Sequence, residues 1–204
     1  VSLTAFVLGG CAISCLASLP GPGESFIARW PAETSLVSKS ASSFGNIWNG
    51  WLPLPRTTRT FWNTNVLDEH LTLRCVVSCG LFSVAVLTLL RRPAALVTLL
   101  GGMVGLTAFT YLHFVGATRH HGLLYVVLIA ACWIGATSTP IEIPWPRISR
   151  IAGALERRRN VLLAVLLGVQ AVGGVGACLA DHLLPFSAGK QIAEYIHRAL
   201  PADV

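Results

Sequence analysis

The feature that most constrains this chain is a set of long stretches without Asp, Glu, Lys or Arg. A membrane-spanning helix needs roughly 20 mainly apolar residues, and one charged residue at its centre costs about 2.5 to 3.5 kcal/mol. We therefore predict an all-α fold, a polytopic transmembrane helix bundle with interfacial exterior helices. The five predicted spans are Ser2–Leu19, Cys75–Leu90, Pro93–Val115, Gly122–Ser138 and Val161–Ala180.

Composition excludes several other classes of protein. The chain is 53% hydrophobic and 12% charged, whereas soluble domains average about 25% charged residues. This balance argues against a disordered chain, a nucleic-acid-binding domain and an ordinary soluble enzyme. A soluble protein with buried helices would also need more polar residues to cover such a core.

Arginines predict the orientation of the spans, because short cytoplasmic connections are enriched in Lys and Arg. The connections 91–92 and 139–160 carry seven arginines between them. We therefore place these connections on the cytoplasmic side of a bacterial cytoplasmic (inner) membrane, with the amino end of the chain inside and the carboxyl end outside. The chain begins with apolar residues rather than Met. Further spans before Val1 or a trimmed start would each account for this. Missing amino-terminal spans or a partner subunit are therefore expected partners of the chain.

The expected organisation has four parts. Residues 1–19 form the first span, 20–74 an exterior membrane-interfacial segment, 75–180 the other four spans, and 181–204 an exterior tail helix that begins a soluble domain. Tryptophans in the 20–74 segment are typical of the membrane–water boundary, and a helix is predicted near Ser35–Gly50. This segment is either a simple anchor or a platform that guides a lipid substrate. Gln170, deep in the last span, is expected to hydrogen-bond to a neighbouring helix.

Most candidate functional residues fall on the predicted exterior side. Asp68 and Glu69 are the only adjacent carboxylates in the chain, and they suit either a general base or the positive end of a helix dipole. Three hypotheses remain open for the basic residues nearby: solvated interfacial side chains, a site for a phosphate headgroup, or a metal site. The phosphate site would use Arg119, His120, His121 and His113. The metal site would use Asp68, Glu69, His70, His120, His121 and His182.

A family resemblance follows from four sequence features between Asp68 and Leu200. They are DEH at 68–70, RHHG at 119–122, the basic cytoplasmic connections, and PFSAGKQIAEYI at 185–196. Together they resemble the carboxyl-terminal part of polytopic membrane glycosyltransferases of the GT-C type. The resemblance implies sugar transfer from a polyprenyl-phosphate carrier at the exterior face, with Asp68 or Glu69 as catalytic base. It also implies that Arg119 and His120 contact the carrier phosphate.

A second class of function fits the same sequence. A non-catalytic membrane subunit or transporter component would use the aromatic exterior segment to bind a partner or a lipid. Active ion transport is disfavoured because no predicted span contains the charged residue that an ion pathway needs. The expected partner is a membrane lipid, such as a polyprenyl phosphate, and not nucleic acid; no particular cofactor is indicated.

Overall fold

The computed structural model describes residues 30–56, 63–112, 115–183, 192 and 194–196, with the side chain of Arg119 excepted. The predicted first span and most of the predicted tail helix lie outside the described residues. Every long element within the described residues is a helix, which confirms the all-α class. The six helices are α1 Leu36–Trp51, α2 Leu71–Leu89, α3 Pro93–Leu112, α4 Thr118–Thr137, α5 Pro146–Arg157 and α6 Arg159–Leu183.

Four of these helices are long and apolar enough to cross a membrane. They are α2, α3, α4 from His120 onward, and α6, with lengths of 19, 20, 18 and 25 residues. Their outward faces carry exposed apolar side chains, such as Val104 on α3 and Leu167 on α6, as a surface in contact with lipid requires. The protein is an integral membrane protein, and four of the five predicted spans are confirmed.

The core of the bundle lies where α3 and α4 pack against each other and against α1 and α2. Leu99 of α3, Leu128 of α4 and Leu89 of α2 have no exposed surface. Ile47 and Trp51 of α1 belong to the same buried cluster. The segment before α2 therefore contributes directly to the core.

Arginines and one glutamate close one end of the bundle, which we call the basic end and define by residues 91–92 and 139–160. Arg92 Nε donates a 2.7 Å hydrogen bond to Glu156 of α5, and Arg91 lies 3.6 Å from the same carboxylate. Arg92 also donates to the carbonyl of Ser138, just after α4. These contacts join the ends of α2 and α4 to α5. The sequence predicted no helix in this connection.

Helix α1 begins where the sequence predicts. Ser35 caps it by accepting a 3.1 Å hydrogen bond from the backbone N–H of Ser38. Its first turn is exposed, but its second half is buried from Ser43 to Trp51 on nearly every face. The predicted helix is thus confirmed, but it does not lie along a surface for its whole length.

The buried half of α1 crosses the other end of the bundle, which we call the loop end and define by the start of α2, the end of α3 and the start of α4. The thiol of Cys75 donates to the carbonyl of Ala41, and Trp51 Nε1 donates to the carbonyl of Leu124 at 3.1 Å. The sequence predicted an interfacial helix here. In the fold, the Ser and Asn side chains of its second half are buried with the aromatic ones.

Two glycines let the backbone of this segment touch the spanning helices. A Cβ at Gly50 would collide with the carbonyl oxygen of His121, and one at Gly173 with that of Pro53. Gln170 Nε2 donates a 2.8 Å hydrogen bond to the carbonyl of Gly50, one of the last-turn carbonyls that a helix leaves without an internal partner. The predicted role of Gln170 is confirmed, and its partner helix is α1.

Candidate functional site

A polar cavity of about 230 Å³ lies at the loop end, between α1 and the first turns of α2 and α4. Drug-sized ligands occupy pockets of about 300 to 1,000 Å³, so this volume suits a headgroup rather than a whole lipid. Trp30 and the turn at Gly116 form part of its wall. The polar side chains that line it are Ser42, Asn46, Asn49, Asn63, Asp68, Arg74, Thr118 and His121.

Local structure explains how these residues meet. Ser42, Asn46 and Asn49 are spaced so that they share one face of α1. Gly116 adopts a φ of 80°, which glycine tolerates better than other residues, and turns the chain into α4. Asn63 Oδ1 then accepts a 2.8 Å hydrogen bond from the backbone N–H of Thr118, which joins the segment before α2 to the start of α4.

Arg74 is the only described cation that lines the cavity. Its side chain is 12% exposed, and its nearest charged partner is Asp68, with 3.4 Å between Nη1 and Oδ1. Its Nε lies against α1, where a Cβ added to Gly45 would approach within 2.7 Å. The glycine at position 45 therefore leaves room for the guanidinium.

Three of the lining side chains bury a polar atom that has no hydrogen-bond partner within the described part of the chain. These atoms are Asn49 Oδ1, Arg74 Nε and His121 Nδ1. A buried polar atom without a partner costs about 1 to 3 kcal/mol, and native proteins usually satisfy such atoms through protein groups or ordered water. Their clustering at one cavity favours a polar ligand or ordered water there.

The two predicted catalytic carboxylates lie in different surroundings. Asp68 lines the cavity, and its Oδ2 accepts the backbone N–H of Asn65. Glu69 is not among the cavity-lining residues; its side chain is 73% exposed and 2.5 Å from Arg56 Nη1. Of the two carboxylates, only Asp68 therefore lines the cavity.

The pKa of Glu69 follows from its ion pair. Hydrogen bonding and charge attraction from Arg56 lower the pKa of this carboxyl below its ordinary value of 4.5. A lowered acid pKa stabilises the fold above the ordinary value and loses that contribution as the pH falls through the lowered one. Glu69 is therefore ionised at neutral pH and is a weaker base than an unpaired carboxylate.

The predicted basic residues also lie in different surroundings. His121 lines the cavity, with Nε2 placed 3.4 Å from the carbonyl oxygen of Val115. His120 Nδ1 accepts a 3.0 Å hydrogen bond from the backbone N–H of Ala117, so it helps to cap α4. The backbone of Arg119 lies in the first turn of α4 between them, but its side chain is outside the described part. His113 also lies outside the described residues.

Sequence reasoning missed Arg74 and the asparagines. The predicted span began at Cys75, directly after the charge, whereas α2 begins at Leu71 and includes Arg74. A charge inside an apolar helix is itself a signal of function, so the longer window would have found it. The asparagines carry no comparable signal, because Asn is common in exposed loops.

The described residues indicate no metal centre, and comparison with known proteins indicates no relative. No group of three His, Cys, Asp or Glu side chains converges among the described residues, so this part of the chain offers no support for the metal hypothesis. Comparison with protein-family models, with curated proteins and with solved structures returns no match.

Proposed function

We propose that the cavity at the loop end binds the phosphate-bearing headgroup of a membrane lipid, such as a polyprenyl phosphate or a polyprenyl-phosphate sugar. The observation that carries this proposal is Arg74, a nearly buried guanidinium in an apolar helix that lines a cavity of headgroup size. A guanidinium presents several N–H donors in a planar fork that matches two phosphate oxygens. A position near the end of a spanning helix suits the phosphate of a lipid whose chain stays in the membrane.

Asp68 explains how Arg74 is held before a ligand binds. A buried charge needs a partner, and the 3.4 Å separation from Asp68 is long for a charge-assisted hydrogen bond. A phosphate that binds Arg74 replaces this loose contact with shorter ones. Once Arg74 binds the phosphate, Asp68 Oδ1 is free to accept a hydrogen bond from another group of the ligand.

The reaction that fits this arrangement is glycosyl transfer from a lipid-linked sugar at the exterior face. A general base must lie within hydrogen-bond reach of the hydroxyl that it deprotonates. Asp68 meets this requirement better than Glu69, since it lines the cavity and Glu69 is paired outside it. In this proposal Arg74 binds phosphate, Asp68 accepts the proton of the acceptor hydroxyl, and Arg119 adds a second cation at the start of α4.

Binding of a polyprenyl phosphate to the purified chain in detergent tests the headgroup site. A charge-assisted hydrogen bond contributes about 1.5 to 3 kcal/mol, so Arg74→Ala should weaken binding about ten- to a hundredfold. Arg74→Lys should recover only part of the affinity, because lysine keeps the charge and loses the fork. Lys39→Ala, which removes a cation of α1 that does not line the cavity, is the matched control. Equal affinity in Arg74→Ala and Lys39→Ala would refute the proposed site.

A non-catalytic lipid-binding subunit is the second candidate, and one observation favours it. Both carboxylate oxygens of Asp68 already have partners, Asn65 and Arg74. Asp68→Asn distinguishes the enzyme from the lipid-binding subunit when lipid binding and sugar transfer are both measured on the variant. Transfer that is lost while binding persists supports the enzyme. Binding without transfer in the unchanged protein, across a panel of polyprenyl-phosphate sugars, supports the subunit.

A further inference from the structure

Helix α5, at the basic end, exposes apolar side chains that the bundle does not cover. Ile148 and Ile151 are one helical turn apart, and Ile151 is 52% exposed. Trp145, immediately before the helix, is 64% exposed. These residues form an apolar flank, which we define as Trp145, Ile148 and Ile151.

The face of α5 that packs on the bundle is a different one. Ala152 and Gly153 are buried, and a Cβ added to Gly153 would lie 3.3 Å from Arg91 Nη1. Glu156 is fixed by Arg91 and Arg92, as described above. Since successive residues of a helix are rotated by about 100°, Ile148 and Ile151 point beside the bundle rather than into it.

A basic flank borders the apolar one. Arg147, Arg150, Arg157 and Arg158 are exposed, and none of them has an ion-pair partner within the described part of the chain. The residues of the basic end carry seven arginines and two glutamates, an excess of five positive charges. A surface with this charge attracts anions.

We propose that α5 lies in the headgroup layer of the membrane and binds anionic phospholipids there. Helices with this division into a basic and an apolar flank lie in the membrane plane, with the apolar side at the boundary of the acyl chains. The neighbouring surface supports a lipid occupant, because Val161 and Val165 of α6 are also exposed and continue into a helix long enough to span the membrane. The arginines then reach the phosphates of the same leaflet.

The test uses the full chain in mild detergent and two probes, phosphatidylglycerol and phosphatidylcholine with brominated acyl chains. Bromine quenches tryptophan fluorescence at short range, and the difference between the unchanged protein and Trp145→Phe isolates the signal of Trp145. We expect quenching of Trp145 to be half-maximal at a lower concentration of phosphatidylglycerol than of phosphatidylcholine. Each cation near an anionic surface changes the association constant about fivefold. The double variant Arg147→Gln/Arg150→Gln should therefore raise the half-maximal phosphatidylglycerol concentration about ten- to thirtyfold.

Two controls make the result specific. Glu142→Gln removes a negative charge from an exposed position of the same connection, so it should leave phosphatidylglycerol binding unchanged or strengthen it. Ile151→Ser should weaken quenching by both lipids. Equal quenching by the two lipids, or no effect of the arginine variant, would overturn the proposal. Self-association of the chain through α5 that Ile151→Ser abolishes would also overturn the proposal, because the apolar flank would then be a protein contact.

Discussion

Asn65 joins the end of α1 to the turn that precedes α2. It has no exposed surface, and its side-chain oxygen accepts a 2.8 Å hydrogen bond from Trp48 Nε1. Its side-chain nitrogen donates to the carbonyl of Leu52 at 2.9 Å, and its backbone carbonyl accepts from Arg56 Nε. Because Asp68 accepts its backbone N–H, Asn65 also holds the carboxylate that faces the cavity.

Replacing Asn65 should therefore destabilise the segment that joins α1 to α2. Asn65→Ala leaves Trp48 Nε1 and the carbonyl of Leu52 buried without these partners, and each such loss costs about 1 to 3 kcal/mol. The expected result is a clearly lower Tm of the purified protein in detergent. Asn160→Ala, at an exposed position of α6, is the matched control and should leave the Tm nearly unchanged. Equal Tm values for the two variants would show that Asn65 is not a structural link.

Helices α1 and α5 show what local sequence can and cannot predict. The start of α1 follows from Ser35 as a cap, and this signal is local. Its burial depends on distant partners such as Leu124 and Gln170, which no local pattern specifies. Helix α5 had a usable signal in the spacing of Ile148 and Ile151 after Pro146, but its arginines also fit a cytoplasmic loop.

The contact between α6 and the chain after α1 gives a prediction with a control in the same helix. Gly173→Ala places a Cβ against the carbonyl of Pro53, whereas Gly174→Ala points into open space. Overpacking costs about 1 to 3 kcal/mol, while alanine in a helix interior is favoured over glycine by roughly 0.5 to 1 kcal/mol. Gly173→Ala should lower the Tm in detergent, and Gly174→Ala should leave it unchanged or raise it. The reverse order would mean that α6 does not touch this segment.

For the whole molecule, the arrangement of spans is predictable and the cavity is not. Charge-free windows predicted α3 and α6 to within a few residues, because lipid excludes charge along the full length of a span. The cavity needs residues 46, 63, 74 and 121 to meet, and their approach depends on how α1 packs across three other helices. A single sequence contains no direct record of such long-range packing.

The orientation of the bundle in the membrane stays a prediction, and labelling can test it. With the native cysteines replaced, Arg158→Cys should react with a membrane-impermeant reagent only from the cytoplasmic side, and Ala188→Cys only from the exterior. The reason is the concentration of arginines in the connections of the basic end. Reaction of both positions from the same side would contradict the predicted topology.

The contact between Gly50 and Gln170 also sets an order of events during synthesis. The two residues are 120 positions apart, so α1 leaves the ribosome long before its partner in α6. Until α6 has entered the membrane, the last turn of α1 lacks this hydrogen-bond partner, and the backbone at Pro53 lacks the helix on which it packs. The packing of α1 is therefore completed late in biogenesis, and a chain that ends before α6 would contain every residue that lines the cavity but not the helix that supports the last turn of α1.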